Sequence, residues 1–420
     1  MDKKIFWLWI SLHFGEGTQI YRLLLSHFGN EEKIYNCEDV DLVGINWLSE
    51  SQKYKLLDKN LNHAYEIIEW CDENNVSVIS YDSDFYPESL RKLADFPAVL
   101  YCYGNMPSFN DSLAIGIVGT RKMSSRGEKN AFTLGYQLSK GGAITVSGMA
   151  LGIDCTAQRG TLSADGITVA VLGSGIDVIY PKANASLYYD IAKHGAILTE
   201  YPPSTPPNGR NFPVRNRIIS GLCNGIVVVE GDENSGSMIT ARRAKKQGRD
   251  IFAVPGPAKE YLSAGPNSLL KDGAIVAEDA IDVLEQYLDK YRDIIDLSAA
   301  KEKAKAKRSA SENESGLRWG IFRKRESDNP TPDKNSFKEF EGRYEKTNSG
   351  KSKANIKEIL SGLDEDQLMV YNFMEEDKLM SAESFLELNL EISDIISLLS
   401  FLELNGAIEQ RPGGLYLKRI

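Results

Sequence analysis

Short apolar runs alternate with helical segments between residues 114 and 257, and this pattern sets the interpretation of the whole chain. The runs are Ala114–Val118, Ala143–Val146, Thr168–Leu172, Gly225–Val229 and Ile251–Val254. Runs of this length that are rich in Val and Ile and separated by helices are typical of buried parallel strands. The pattern predicts an α/β fold with a mostly parallel sheet. Each run ends in a break rich in Gly, Ser or Thr, or at Pro-Gly, so we expect the breaks to line one ligand crevice at the carboxyl ends of the strands.

The pattern divides the chain into four parts. Residues 1–75 are predicted to form a helical domain, including one long helix from Ser51 to Cys71. Residues 76–290 hold the sheet, with additional strands at Val76–Ser80 and Val99–Tyr103. Residues 291–360 contain a basic run followed by Ser/Glu/Asn/Pro-rich sequence, which indicates a flexible charged linker. Residues 361–420 regain periodicity and form a separate domain.

A tight loop from His13 to Thr18 separates the first two helices of the N-terminal part. Its two glycines allow two interpretations. One is a helix-hairpin-helix, whose exposed backbone amides bind a phosphate. The other is a plain turn that uses glycine where φ is positive. Glu16 favours the plain turn, because a carboxylate inside the loop would repel phosphate.

The C-terminal part has the pattern of a winged helix: three helices followed by a hairpin of residues 407–410 and 415–418. In such modules the third helix reads the major groove of DNA. Here that helix carries Glu391, Asp394 and Glu403 and has no Lys or Arg. The sequence therefore favours a protein-contact module over a DNA-binding one.

Composition excludes few function classes. The net charge of −10 argues against a generally basic surface, although a local cationic groove remains compatible with it. Five dispersed cysteines without C-x-x-C spacing indicate unpaired thiols in a reducing cytoplasm. We expect no metal, no cofactor and no membrane association, because the histidines lack ligand spacing and no apolar run is long enough to span a bilayer. The first residues predict an amphipathic helix rather than a signal peptide.

The nucleotide motifs tested on the strand-end loops do not fit. A dinucleotide site needs G-x-G-x-x-G, and Val178 stands where the third glycine belongs. The single Gly-Lys-Ser, at residues 350–352, lies in the predicted linker without the upstream glycine of a P-loop. No G-x-S-x-G elbow occurs, and Asp154, Asp177 and Glu230 are isolated carboxylates. The signal for catalysis is weak.

Positive charge is better placed, because cations and aromatic residues occupy several of the strand-end loops. They are Arg121, Tyr180, Lys182, Arg210, Phe212, Arg215 and Arg217. Cations with aromatic faces and backbone amides suit a single nucleic-acid strand. The alternative is internal pairing of Arg215 and Arg217 with Glu200 or Glu230, and a place for Phe212 in the core.

Six motifs occur in order between about residues 77 and 290. They are Gly119–Arg121, Ser147–Asp154, Gly173–Asn184, Phe212–Leu222, Ser235–Thr240 and Gly248–Gly256. With these motifs the chain closely resembles the DprA (Smf) family of DNA-processing proteins. The resemblance implies a Rossmann-like domain preceded by a helical, SAM-like domain and followed by the winged helix that many members carry.

The resemblance also implies a function: homodimeric, non-catalytic binding of single-stranded DNA, and loading of RecA recombinase during natural transformation. Carried over by motif, Arg121 and Lys182 are the strongest candidates for phosphate contacts. The other site residues that the motifs imply are Gly119, Ser147, Gly148, Asn184, Phe212, Arg215, Asn216, Arg217, Gly236 and Ser237. Gln158 departs from the histidine usual in the family, so we expect no role there that requires protonation.

Two other function classes remain open. The first is an enzyme that hydrolyses nucleoside monophosphates on a related fold, for which residues 230–237 would be the site although they lack Pro-Gly-Gly. The second is an interaction scaffold, in which the linker and the winged helix recruit partners. The enzyme predicts release of base from AMP, and the scaffold predicts that residues 1–290 bind DNA but lose biological activity.

Overall fold

The structure is a computed structural model, and it describes residues 3–301 together with part of the C-terminal region. In that region the described residues are 365–374, 380–381, 384–385, 388, 395, 398–399, 402, 408–411 and 415–418. The chain divides into two compact units, Met1–Phe337 and Lys338–Ile420, and each is described by itself. The basic run Lys303–Arg308 and the rest of the predicted linker to residue 360 lie outside the described residues, as do Glu391, Asp394 and Glu403.

A nine-stranded sheet organises the first unit. Its strands are β1 (Val76–Ser80), β2 (Val99–Gly104), β3 (Ala114–Val118), β4 (Ile144–Ser147), β5 (Thr168–Val171), β6 (Ala196–Thr199), β7 (Gly225–Val228), β8 (Asp250–Ala253) and β9 (Ile275–Val276). Their order in the sheet is β1-β2-β6-β5-β4-β3-β7-β8-β9. The seven strands from β6 to β9 are parallel, whereas β2 pairs antiparallel with both β1 and β6. The α/β fold with a mostly parallel, Rossmann-like sheet is thus confirmed.

Fifteen helices accompany the sheet within residues 3–301. They are α1 (Lys4–Phe14), α2 (Ile20–Phe28), α3 (Glu31–Tyr35), α4 (Glu50–Leu57), α5 (Asn62–Glu73), α6 (Glu88–Arg91), α7 (Ser125–Lys140), α8 (Ile153–Ser163), α9 (Ala185–His194), α10 (Asn211–Leu222), α11 (Gly236–Lys246), α12 (Ala264–Lys271), α13 (Ala280–Leu284), α14 (Leu288–Tyr291) and α15 (Leu297–Ala300). Helices α7 and α8 pack on β3 and β4, and α10 also contacts β3, β4 and β5. The side chains of Ile115, Ile117, Leu134 and Phe252 lie in one buried core with α13.

Three boundaries differ from the sequence prediction for local reasons. The predicted helix Ser51–Cys71 is two helices, because the side chains of Asp58 and Asn60 accept the backbone N–H groups two residues on at 3.0 and 2.9 Å and form turns between them. Helix α7 is capped by Ser124 rather than Ser125, since the Ser124 hydroxyl accepts the N–H of Gly127 at 3.0 Å. Residues 291–301, predicted as linker, include α15 and the fully buried Ala300.

The second unit combines helical residues with a small sheet. Helix α16 spans Glu365–Phe373, and the sheet has the order β10 (Met380–Ser381), β12 (Leu415–Lys418), β11 (Ile408–Arg411). Strands β11 and β12 pair antiparallel, as the hairpin pattern predicts. A buried cluster includes Val370, Phe385, Ile395, Leu399, Leu402, Ile408 and Tyr416. In the part of the chain that the structure describes, every helix is too short or too polar to cross a bilayer.

Candidate nucleic-acid interface

The carboxyl ends of β3, β4, β5 and β7 lie along one edge of the sheet because these strands are parallel. Two hydrogen bonds hold the first turn of α10 beside this edge. The Asn211 side-chain amide donates to the Gly173 carbonyl at 3.0 Å, and the Tyr201 hydroxyl donates to the Asn211 carbonyl at 3.3 Å. The loops that follow the strands and the start of α10 therefore form one continuous surface.

A shallow depression at this surface, which we call the Phe212 groove, combines positive charge with aromatic rings. Its lining residues are Arg121, Gly148, Ala150, Leu151, Tyr180, Pro181 and Phe212. The Arg121 guanidinium carbon lies 5.3 Å from the centre of the Phe212 ring, and the Tyr180 ring lies 5.6 Å from it on a tilted plane. Arg121 and Tyr180 are exposed and Phe212 is half-buried. An aromatic surface and a cation thus meet where solvent reaches both.

Lys182 follows the groove residues Tyr180 and Pro181 and stands at the start of a 3₁₀ turn, Lys182–Asn184, that leads into α9. Its side chain is exposed. Asn184 is buried, and its amide donates to the Met149 carbonyl at 2.9 Å. Asn184 therefore fixes the Lys182 turn to the loop after β4, whereas Lys182 faces solvent.

Three predicted site residues of β3, β4 and their loops form the floor beneath this surface. The Ser147 hydroxyl is buried and donates to the Ile117 carbonyl at 2.6 Å. The Gly148 N–H donates to the Asp154 carboxylate at 3.1 Å. A Cβ on Gly119 would lie 2.5 Å from Ile153 Cγ1 and 2.9 Å from the Glu230 carbonyl, so no larger residue fits there. These residues set the shape of the floor.

Arg215 lies under the groove rather than on it, because its side chain is only 4% exposed. Its guanidinium donates to the carbonyls of Gly148, at 3.2 Å, and Val171, and its Nε donates to the Asn216 side-chain oxygen at 3.1 Å. Burial lowers the pKa of Arg215 to about 10, and nearby Asp154 opposes that change. In this conformation Arg215 has internal partners and is shielded from solvent.

Arg217 is the clearer case of internal pairing. It is 1% exposed and pairs with the equally buried Glu200, and its Nε lies 3.6 Å from an Asp95 carboxylate oxygen. The alternative of internal pairing with Glu200, which the sequence left open, is the arrangement that the structure has. This burial shields the Arg217 guanidinium from contact with a phosphate.

The turn between α1 and α2 packs on the other side of α10. Gly17 has φ +68°, and a Cβ there would lie 2.6 Å from Val214 Cγ1. Burial raises the pKa of the half-buried Glu16 from its ordinary value, against the lowering effects of its own backbone hydrogen bond, Arg217 and Arg210. A loop that contacts Val214 and holds a half-buried carboxylate fits the plain-turn interpretation rather than the phosphate-binding hairpin.

Gly236 and Ser237 stand at the start of α11, away from the residues that line the Phe212 groove. Gly236 is exposed, with open space where a Cβ would be. The Ser237 side chain is buried, and its hydroxyl pairs with that of Ser235 at 2.7 Å. The structure therefore does not bring these two residues together with Arg121 and Phe212.

The sheet changes direction between β3 and β7, which is where open α/β sheets usually bind nucleotides. Here that position is filled by contacts of Glu230. Its buried carboxylate accepts the backbone N–H and the hydroxyl of Ser124, at 2.9 and 2.5 Å, and lies 3.5 Å from the Arg126 guanidinium. The Gly231 N–H donates to the Leu262 carbonyl at 2.7 Å, so a later loop covers the same region.

The sequence interpretation missed two residues that organise the groove, Asn211 and Asp154. Asp154 was visible only as an isolated carboxylate, although its place in the first turn of a helix after a glycine-rich loop is typical of carboxylates that bind backbone amides. Asn211 precedes the Phe212 motif and carries no pattern of its own. Its role depends on the fold, since it bonds to Gly173, 38 residues earlier in the chain.

Comparison with known proteins supports this geometry. The family model described as DNA recombination-mediator protein A matches residues 77–288, which include the whole parallel sheet. The DNA processing protein DprA of Bacillus subtilis is 41% identical over 214 residues, which are 51% of this chain and 72% of that protein. Protein Smf of Synechocystis is 33% identical over 279 residues, 66% of this chain and 70% of that protein.

A solved structure shows the same fold. The X-ray structure of DprA from Streptococcus pneumoniae aligns with a TM-score of 0.59 at 31% sequence identity, covering 68% of this chain and 98% of that one. The family model and these relatives match the region that holds all twelve predicted site residues. The chain belongs to the DNA recombination-mediator protein A family.

Proposed function

We propose that this protein binds single-stranded DNA along the Phe212 groove, without catalysis, and transfers the bound strand to the RecA recombinase during natural transformation. Arg121 and Lys182 contact phosphates, and Phe212 and Tyr180 stack against bases. The family's description as a recombination mediator supports this role.

One observation carries the proposal: the exposed Arg121 guanidinium lies 5.3 Å from the ring centre of Phe212, next to exposed Tyr180. Aromatic side chains bind single strands because unpaired bases offer their faces, which base stacking covers in a duplex. Cations beside the rings neutralise the phosphates that connect those bases. The groove thus suits an unpaired strand better than a duplex.

The engagement of the nearby carboxylates supports a non-catalytic role. Glu230 accepts hydrogen bonds from Ser124 and lies beside Arg126, and Asp154 accepts the N–H of Gly148. A general base must instead reach a substrate proton or a water molecule. This disfavours the nucleoside-monophosphate hydrolase, whose site would be residues 230–237.

The remaining parts of the proposal follow from the resemblance. We propose a cytoplasmic homodimer, in which the helices before residue 75 form a SAM-like domain and the second unit is a winged helix that contacts proteins. The homodimer is tested by sedimentation of the full chain over a concentration series. The RecA role is tested by whether the protein speeds formation of RecA filaments on a coated single strand.

Strand preference is the direct test of the binding function. The full chain is titrated against labelled oligonucleotides of one sequence, single-stranded or duplex, and against an abasic strand of equal length. We expect the single strand to bind best, the duplex at least tenfold more weakly, and the abasic strand to lose the stacking part, ~1–3 kcal/mol per base. Equal binding of single strand and duplex would contradict the proposal.

A further inference from the structure

Asp154 connects two strand ends that support the Phe212 groove. It lies in the first turn of α8 with its carboxylate buried, and it accepts the N–H of Gly148 at 3.1 Å. Burial raises the pKa of Asp154 from its ordinary value, and this rise is opposed by Arg215 and by the N–H groups of Gly148 and Gly119. One carboxylate therefore interacts with the loops after β3 and β4 and with the charge of Arg215.

Arg215 connects the next pair of strand ends. From the second turn of α10 its guanidinium donates to the carbonyl of Gly148, after β4, and to the carbonyl of Val171, the last residue of β5. The fit is tight, since a Cβ on Gly148 would lie 2.5 Å from Arg215 Nη2. The guanidinium thus fills the space between the two strand ends.

The ring of Phe212 lies near two guanidinium groups. The exposed Arg121 carbon is 5.3 Å from the ring centre, and the buried Arg215 carbon is 5.8 Å from it. The Gly173 backbone also contacts the ring, because a Cβ there would lie 3.0 Å from Phe212 Cδ1. Arg215 therefore supports the aromatic surface from the protein interior, while Arg121 is open to a ligand.

We propose that Asp154 and Arg215 are positioning residues of the DNA groove, which hold the ends of β3, β4 and β5 and the Phe212 ring in place without contacting DNA. The inference rests on the proposed function. It assigns Arg215 to a different role from Arg121, although both are arginines within the same family motifs and both lie close to Phe212. It also gives Asp154 a role that depends on its negative charge.

The dependence of affinity on salt separates the two roles. Each phosphate contact contributes ~0.7 to the slope of log K against log salt concentration for a single strand, and a positioning residue contributes nothing to that slope. We expect Arg215→Gln and Asp154→Asn to weaken binding to a labelled oligothymidine about tenfold to a hundredfold at fixed salt, with the slope unchanged. Arg121→Ala, measured in parallel, lowers the slope.

A double variant tests whether the two residues act as a pair. Each single substitution leaves the other charge buried without its partner, which costs more than removing both. The combined Asp154→Asn and Arg215→Gln variant is therefore expected to lose less affinity than the two single losses together. Asp165→Asn is the matched control, since Asp165 is exposed just beyond the other end of the α8 region, at a φ of 56° that asparagine tolerates.

All affinities are measured on the full chain well below the melting temperature of each variant. Should a charge variant lack the cooperative thermal transition of the wild type, Gly148→Ala decides, because its methyl group displaces the Arg215 guanidinium and changes no charge. Weaker binding with an unchanged slope supports the inference. A slope lowered by ~0.7 in Arg215→Gln, or unchanged affinity in the folded variants, overturns it. An unchanged slope in Arg121→Ala would instead count against the proposed function.

Discussion

Arg217 of α10 and Glu200, the residue after β6, form an ion pair in which the two side chains are 1% and 3% exposed. Asp95 adds a second carboxylate 3.6 Å from Arg217 Nε. Helix α10 also carries Phe212 in its first turn, so this buried pair anchors the helix that presents the aromatic surface. Removing one partner of such a pair leaves an uncompensated buried charge, which typically costs ~3–5 kcal/mol.

The first prediction concerns the pH dependence of stability. Burial raises the pKa of Glu200 to about 7 from 4.5, against the lowering effect of Arg217. The folded chain therefore keeps a proton on Glu200 that the unfolded chain loses, and the stability contributed by this group falls as the pH rises from 4.5 to 7. The slope is at most ~1.4 kcal/mol per pH unit.

Glu200→Gln removes this titration. The free energy of unfolding of the wild type minus that of Glu200→Gln should therefore decline between pH 5 and 7 and become constant above pH 8. Denaturant unfolding followed by tryptophan fluorescence measures it, with exposed Glu73→Gln as the control. A difference that increases with pH would show that the pKa of Glu200 is lowered instead.

The second prediction concerns the contact between the α1–α2 turn and α10. Gly17→Ala should destabilise the protein twice, by ~1 kcal/mol for the positive φ and by a further ~1–3 kcal/mol for overlap with Val214. Gly15→Ala is the matched control, because its φ is +74° but a Cβ there meets nothing within 4 Å. Thermal unfolding of the two variants measures the difference. Equal losses of stability would mean that the turn does not press on α10.

The third prediction isolates base stacking. Phe212→Leu keeps an apolar side chain but removes the ring, so binding to single-stranded DNA should weaken by ~1–3 kcal/mol with no change in the salt slope. Fluorescence anisotropy at several salt concentrations measures both quantities. Phe85→Leu changes a ring that is 79% exposed and does not line the groove, and it should bind like the wild type. Wild-type affinity in Phe212→Leu would remove the ring from the interface.

The fourth prediction tests the enzymatic alternative. Incubation with AMP should release no adenine, and Glu230→Gln should lower the free energy of unfolding by ~1–3 kcal/mol because the hydrogen bonds from Ser124 weaken. Chromatography of the products and thermal unfolding are the two measurements, with exposed Glu233→Gln as the control. Steady release of adenine that Glu230→Gln abolishes would establish the hydrolase instead.

Much of the sheet could be predicted from the sequence because apolar runs determine buried parallel strands. Strand β3 has the predicted bounds, and the other predicted core strands differ by about one residue at an end. Strand β6 was missed. It has only four residues, Ala196–Thr199, directly after α9, so its apolar run is continuous with the periodicity of that helix.

The site was predictable only in part, since the sequence does not show which side of a helix faces the sheet. Phe212, Arg215 and Arg217 occupy one motif, and yet Phe212 reaches the groove, Arg215 lies beneath it and Arg217 pairs with Glu200. The spacing places Arg215 and Arg217 about 200° apart around the helix, so they cannot share one ligand-facing side. The partners of Asp154 come from two separate loops, which only the fold brings together.

The most direct test of the central claim is the salt dependence of single-stranded DNA binding by the Arg121→Ala/Lys182→Ala double variant. The control is Lys193→Ala/Lys245→Ala, which loses the same charge from the last turns of α9 and α11, toward the opposite edge of the sheet. We predict that the slope of log K against log salt falls by ~1.4 in the double variant and stays at the wild-type value in the control. Equal slopes and affinities in wild type and double variant would contradict the account.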